Sequence, residues 1–338
     1  MKKVSVVIDT YNNAEFIEEA VVSALNQTFP LRDMEIIVID DGSTDNTEEV
    51  VKRFKDVKYI KKENKGQGSC FNLAFSIAQG KYLMFLDGDD YWAENHVEKV
   101  FDFFENNPDV DLVGSHIYRC YQDTGIEEYI GFPQIEHFMV NTMDDARFYH
   151  NIKSAFGTSR LNIRKSIWQE EYVIPECIWI QADMYLVGLL ALRHKMAIIS
   201  EPLTYYRIHG ENLFMISSRK KLLNLFRVEK ARYLMMTKRL SSWGYDMVFI
   251  KEYLFPDYLA LKKLYLSTQG VFPVESIGYI LEELKYHRNY WSSGYKFFKI
   301  FTMGPGSFLP PVVFMEMKEL YRNSSLYRLR KLRIKEDN

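Results

Sequence analysis

The chain has 338 residues and a mass of 40.0 kDa, with 47% hydrophobic residues, 26% charged residues and a formal net charge of -2. This is the composition of a folded globular protein, not of a disordered or fibrous one, and the length suits one large domain with an appendage or two domains. No apolar run reaches the roughly 18–20 residues that span a bilayer, and no secretory leader is expected after Met1-Lys2-Lys3.

Strand and helix alternate over the first 115 residues. Strands are expected over 3–9, 34–40, 57–61 and 81–87, and helices over 14–27, 45–55, 67–79 and 94–106. Alternation at this spacing predicts a parallel sheet with helices on both faces. Asn106-Asn107-Pro108-Asp109 ends the last helix, and 110–121 reads as another strand. Residues 122–153 are less regular and read as a loop or lid, and 155–163 as extended. Helices then fit 164–171 and 182–194, with a strand near 202–208. From about residue 215 the pattern turns helical, with amphipathic helices over 218–241, 246–268 and 274–288. The expected division is an α/β domain over 1–215 and a helical, basic and aromatic region over 216–338.

Three strand ends carry polar clusters. Val4-Ser5-Val6-Val7-Ile8 runs into Asp9-Thr10-Tyr11, and Glu35-Ile36-Ile37-Val38-Ile39 into Asp40-Asp41-Gly42-Ser43-Thr44-Asp45. Tyr82-Leu83-Met84-Phe85-Leu86 ends in Asp87-Gly88-Asp89-Asp90. Open α/β sheets bind ligands beyond the carboxyl ends of their strands, so these clusters predict one shared crevice. Asp87 and Asp89 form a hard-oxygen pair suited to Mg²⁺ or Mn²⁺. Their mutual repulsion would raise their pKa values, and a cation would relieve it. An acidic turn leading to a helix cap is the plainer alternative, and Ser43 or Thr44 can cap the helix after its own turn. The three cysteines, Cys70, Cys120 and Cys177, lack metal-ligand spacing and fit a reducing cytoplasm.

Taken together, the motifs resemble the inverting glycosyltransferases of family 2, of bacterial type, which have the nucleotide-sugar-binding GT-A fold. The resemblance covers residues 3 to about 215. It rests on the first strand with Tyr11-Asn12, the Asp40–Asp45 turn, and Asn64-Lys65-Gly66 with Asn72. Gly80-Lys81-Tyr82 leading to Asp87–Asp90, and Tyr206-Arg207-Ile208-His209 with Asn212, complete the series. It implies a Rossmann-like α/β fold, mostly parallel, followed by a C-terminal helical extension. It implies donor contacts from Asp9, Thr10, Tyr11, Asp41, Gly66, Asn72, Asp87 and Asp89. The nucleobase and ribose would lie near Asp9 to Tyr11 and Asp41, which points to a UDP-sugar. Asp89 and His209 are the implied ligands of Mn²⁺ or Mg²⁺, and Asp183, at a helix start, is the implied general base.

Two positions depart from the family's pattern. Asp9 stands where Pro is usual, and Ala182 stands where Glu often precedes the base. No Gln-x-x-Arg-Trp motif is present, which favours transfer of one sugar per encounter over processive synthesis. The implied acceptor is a saccharide or lipid-linked saccharide in cell-surface polysaccharide or glycolipid synthesis, with no nucleic-acid partner. The aromatic and cationic stretches 296–301 and 321–333 suit an anionic membrane surface, which would put the protein at the inner face of the plasma membrane. A solvated helical subdomain or a homo-oligomer contact fits them equally. Two alternatives of function remain at this point: a nucleotidyltransferase of similar fold, and a nucleotide-sugar-binding module without activity.

Overall fold

Three apolar runs and a half-exposed edge strand build the parallel half of a mixed sheet in the computed structural model, which describes residues 2–210, 212 and 219–258. They are β1 (Val4–Thr10), β2 (Met34–Asp40), β3 (Val57–Lys61) and β4 (Tyr82–Asp87), laid side by side in the order β3-β2-β1-β4. The connecting helices are α1 (Ile17–Leu25), α2 (Thr47–Val51) and α3 (Gln67–Ile77). Strand β1 is buried along its whole length because both faces are covered. On one face Val4, Val6 and Ile8 share a core with Ile17, Ala20, Val21 and Ala24 of α1, and with Val97 and Val100 of α4 (His96–Asn106). On the other face Phe85 meets Phe71 and Phe75 of α3, with ring centroids 4.4 and 5.7 Å away. Each such side chain taken fully from water contributes about 1.5–3 kcal/mol before entropy is counted.

The second half of the sheet is of mixed direction. It is formed by β5 (Tyr91–Trp92), β6 (Leu112–Tyr121), β7 (Ile126–Ile130), β8 (Asn162–Arg164) and β9 (Met196–Ile208). Strand β8 runs antiparallel to both β4 and β6, β6 pairs parallel with β9, and β5 and β7 pair antiparallel with β9 and β6. Short β8 thus joins the nucleotide-type half to the rest, and brings residues 158–160 against the end of β4.

Several local expectations are corrected. Residues 122–153 contain β7 and helix α5 (Met143–Ile152), where a loop was expected. Helix α5 opens on a capping box: the Asp145 amide donates to the Thr142 hydroxyl at 3.1 Å and the Thr142 amide to Asp145 Oδ2 at 2.9 Å. The helix expected over 164–171 is two 3₁₀ turns, Lys165–Ile167 and Glu170–Tyr172, separated by extended Trp168. Trp168 stacks flat on Phe75 at 3.8 Å, and that contact outweighs local helix propensity. Helix α6 (Ala182–Leu190) ends earlier than expected, and β9 begins earlier, at Met196. Neither Ser43 nor Thr44 caps α2; the Ser43 hydroxyl instead accepts the Asn12 amide at 2.8 Å.

The chain divides into two compact units, Met1–Met215 with Ala231–Tyr253, and Ile216–Lys230 with Leu254–Asn338. Helix α7 (Arg219–Ser242) begins in the second unit, where Leu222 and Val228 are buried, and α8 (Met247–Tyr253) belongs to the first. The expected helix over 274–288, the far part of 246–268 and the basic-aromatic stretches lie outside the described residues.

Candidate functional site

Register brings the polar strand ends together. Asp9 of β1 pairs with Asp87 of β4, and Thr10 with Asp40 of β2. Asp40 is fully buried and held by the framework: Oδ1 accepts the Ser43 amide at 2.7 Å and Oδ2 the Tyr59 hydroxyl at 2.5 Å. Asp41 accepts the amides of Lys65 (3.0 Å) and Gly66 (2.7 Å) and the Lys62 ammonium, so its carboxylate ties down the loop over 62–66. Gly66 has φ +82°, and a Cβ there would come within 2.4 Å of the Trp179 carbonyl oxygen. Only glycine allows that approach.

At the end of β4, Asp87, Asp89 and Asp90 each offer an oxygen, all within 4.8 Å of one another. The glycine between the first two is sterically required, because a Cβ on Gly88 would lie 2.7 Å from Thr10 Oγ1. Both oxygens of Asp90 are engaged, by the Arg207 amide at 2.8 Å and by the Ser159 hydroxyl. Asp90 therefore braces β9 and the 158–160 turn, and does not cap α4, whose N-cap is Asn95. Asp89 Oδ2 lies 3.1 Å from His209 Nε2, while its Oδ1 has no protein donor among the described residues. The His209 amide donates to Asn212 Oδ1 at 2.6 Å and its ring packs 4.6 Å from Phe16, which fixes the imidazole. Burial, then repulsion from Asp9 and Asp89, holds Asp87 well above the usual carboxylate range; burial and Asp89 do the same to Asp90. Hard oxygens, one imidazole and unrelieved negative charge make a donor set that fits Mg²⁺ or Mn²⁺.

Asp183 lies in the first turn of α6. Its Oδ1 accepts the Met184 amide at 2.8 Å and its Oδ2 the Thr158 amide at 3.2 Å. Burial raises its pKa, against these hydrogen bonds and the charge of Arg160. Gln67, at the start of α3, connects the two ends of the site. Its amide nitrogen reaches Asp9 Oδ2 (3.3 Å), Asp87 Oδ1 (3.1 Å) and Thr158 Oγ1 (3.1 Å), and its oxygen accepts the Ala182 amide at 3.2 Å. Asp9 is 9% exposed with Oδ1 unpartnered, and its pKa rises to about 8, first through burial and then through Asp89 and Asp183, against the Gln67 hydrogen bond.

Asp9, Asp87, Asp89, Asp183 and His209 thus form one connected constellation. Thr10 adjoins it with a buried, unpartnered hydroxyl, and Tyr11 is 47% exposed at its edge. Asn72 faces elsewhere: its amide exchanges two 2.9 Å hydrogen bonds with the backbone of Ile174. Sequence reading missed Gln67, Thr158, Ser159 and Arg160. Gln67 carried a signal, as a polar residue opening an apolar helix directly after Gly66; the 158–160 turn carried none, because only β8 brings it here.

Residues 5–170 match the model of glycosyl transferase family 2. An uncharacterized glycosyltransferase of Nostoc is 32% identical over 222 residues, covering 63% of this chain and 67% of the relative. The chain belongs to glycosyl transferase family 2. The nucleotidyltransferase and inactive-module alternatives are thereby set aside, and this glycosyltransferase has further relatives with stated activities. An Escherichia coli UDP-Glc:alpha-D-GlcNAc-diphosphoundecaprenol beta-1,3-glucosyltransferase is 40% identical over 108 residues, 31% of this chain and 42% of that protein. Among solved structures, Staphylococcus aureus TarS 1-349 in complex with UDP-GlcNAc superposes with a TM-score of 0.62 at 18% identity, covering 85% of this chain and 81% of that one. A mannosyltransferase from Pyrobaculum calidifontis, in complex with GDP-Man and Mn²⁺, superposes at 0.52 and 16% identity, covering 98% and 83%. These likenesses establish the shared GT-A fold.

Proposed function

We propose that this family 2 glycosyltransferase moves one sugar from a UDP-sugar to a hydroxyl of a saccharide or lipid-linked saccharide, with inversion at the anomeric carbon. The observation that carries the reading is the chain Asp87–Gln67–Thr158–Asp183, with the Asp89–His209 pair beside its first member. It joins a cation-suited cluster to a separate single carboxylate, the two functions that displacement of a diphosphate by a hydroxyl uses. The relative named for UDP-Glc and a diphosphoundecaprenol-linked acceptor, and the TarS complex with UDP-GlcNAc, support the choice of donor and acceptor class.

In this reading Asp183 takes the proton of the acceptor hydroxyl. Burial makes it a stronger base, and the Met184 and Thr158 amides hold its oxygens in place. Thr10, Tyr11 and Asp9 face the nucleoside, and Asp41 and Gly66 shape the loop beside it. Asn72 is given no donor contact, because its amide is taken up by the backbone of Ile174. Asp87, Asp89 and His209 would hold a divalent cation, which when bound supplies charge neutralisation for the departing diphosphate. Among the described residues no helix is long and apolar enough to cross a membrane. A lipid-linked acceptor would be met at the inner face of the plasma membrane, through residues 216–338. The test is UDP release from a panel of UDP-sugars with Mn²⁺ and with EDTA; metal-independent release, or none from any nucleotide sugar with a lipid-linked acceptor present, refutes the reading.

A further inference from the structure

Arg160 stands next to Ser159 at the site, yet the scheme above gives it no part. Its Nε donates to the Ser154 carbonyl at 2.7 Å. Its guanidinium lies against Gly157, where a Cβ would come within 2.8 Å of Nη2 and 3.1 Å of Cζ. The rings of Tyr206 and Phe132 flank it at 5.9 and 6.0 Å. The side chain is therefore fixed at its root and along its plane before any ligand arrives.

The terminal nitrogens contrast with this. Among the described residues neither donates to a protein acceptor, and the guanidinium makes no ion pair. The two residues before it are tied to the site's carboxylates, Thr158 through its amide to Asp183 and Ser159 through its hydroxyl to Asp90, which sets Arg160 beside them. The side chain is only half-buried, so these terminal N–H groups stay open to solvent and to a ligand. A cation that served only to balance the acidic cluster would gain most by closing onto Asp90 or Asp183, and it does not. Its planar fork matches two oxygens of one phosphate group.

We propose that Arg160 binds a phosphate oxyanion of a substrate, presented beside Asp183. The inference rests on the transferase reading and deepens it: the phosphate belongs either to the donor's diphosphate or to a phosphate-bearing acceptor. Two titrations of the full chain with Mn²⁺ separate these sources, each on the wild type, Arg160→Met and Arg160→Lys. The first compares UDP with uridine; the second adds phenyl phosphate to protein saturated with UDP. With a donor phosphate, Arg160→Met weakens UDP about tenfold or more and leaves uridine unchanged. With an acceptor phosphate, UDP binding holds and phenyl phosphate binding is lost by a similar factor. Arg160→Lys keeps the charge without the fork, so it should fall between the other two, and thermal melting shows that each variant is folded. Unchanged binding of both ligands in folded Arg160→Met overturns the proposal. Failure of the wild type to bind UDP at all refutes instead the transferase reading, and the phenyl phosphate titration, repeated without UDP, still judges Arg160.

Discussion

Replacing Asp9 by Asn should make the ligand-free protein more stable at neutral pH. The folded state holds the Asp9 proton up to about pH 8, whereas an exposed aspartate releases it near 3.8. A carboxyl whose folded pKa lies above its unfolded one contributes stability that is complete below the unfolded value. That stability is lost as pH climbs towards the folded value, at about 1.4 kcal/mol per unit. Between the unfolded pKa and pH 7 the loss is on the order of 4 kcal/mol. The Asn variant escapes it, but its amide would direct an N–H to the position where Oδ1 now lacks a partner, at a cost of about 1–3 kcal/mol. The net gain near neutrality is about 1–3 kcal/mol, or a Tm rise on the order of 5 °C. Thermal melts of both proteins in EDTA, at about pH 4 and about pH 7.5, check this, because the advantage must grow with pH. A variant that melts with the wild type at both pH values, or that loses stability as pH rises, refutes the account of Asp9 as a buried, strained carboxyl. The same variant should bind UDP more weakly, since a group held at an energetic disadvantage in the empty site is one that a ligand relieves.

Asp183→Asn should lower transfer by about 10²–10⁴-fold with UDP affinity nearly unchanged, read by product formation beside calorimetric titration. Asp89→Ala and His209→Ala should each abolish the gain in UDP affinity that Mn²⁺ provides, measured by titration with and without the metal. Gly66→Ala should destabilise the fold by about 1–3 kcal/mol or more in urea unfolding, because φ +82° and the Trp179 backbone both oppose a Cβ.

In the parallel half of the sheet β1, β2 and β4 were legible because they are apolar runs with acidic ends, the trace that burial on both faces leaves, while edge strand β3 showed as a short alternating segment between helices. Strand β9 was legible only in part: Ser200-Glu201-Pro202 interrupts its apolar pattern where the pairing with β6 shifts register, so Met196–Ile199 reads as a separate piece. Helix α5 was missed although Thr142 and Asp145 mark its start, since the irregular sequence around them hides the period. In the site, Asp87 and Asp89 could be found from a strand-end motif, and His209 only from the family resemblance. Ser159 and Arg160 could not, because a three-residue strand far along the chain delivers them and no local pattern foretells its partner. Gln67 was overlooked because glutamine opening a helix is ordinary; its importance comes from four partners drawn from four distant segments.

Helix α3 is stitched twice to the segment that leads into Asp183, through Asn72 on Ile174 and through the Gln67 backbone amide on the Trp179 carbonyl at 2.8 Å. A shift of residues 174 to 182 would therefore pull on the start of α3, and with it on the Gln67 side-chain amide that touches Asp9 and Asp87. If Asp183 serves as proposed, an acceptor that nudges it into alignment should be felt by the donor, and a seated donor should ready the acceptor's berth. On the proposed assignment the two substrates would share a wall, so each should enter more readily when the other is already home.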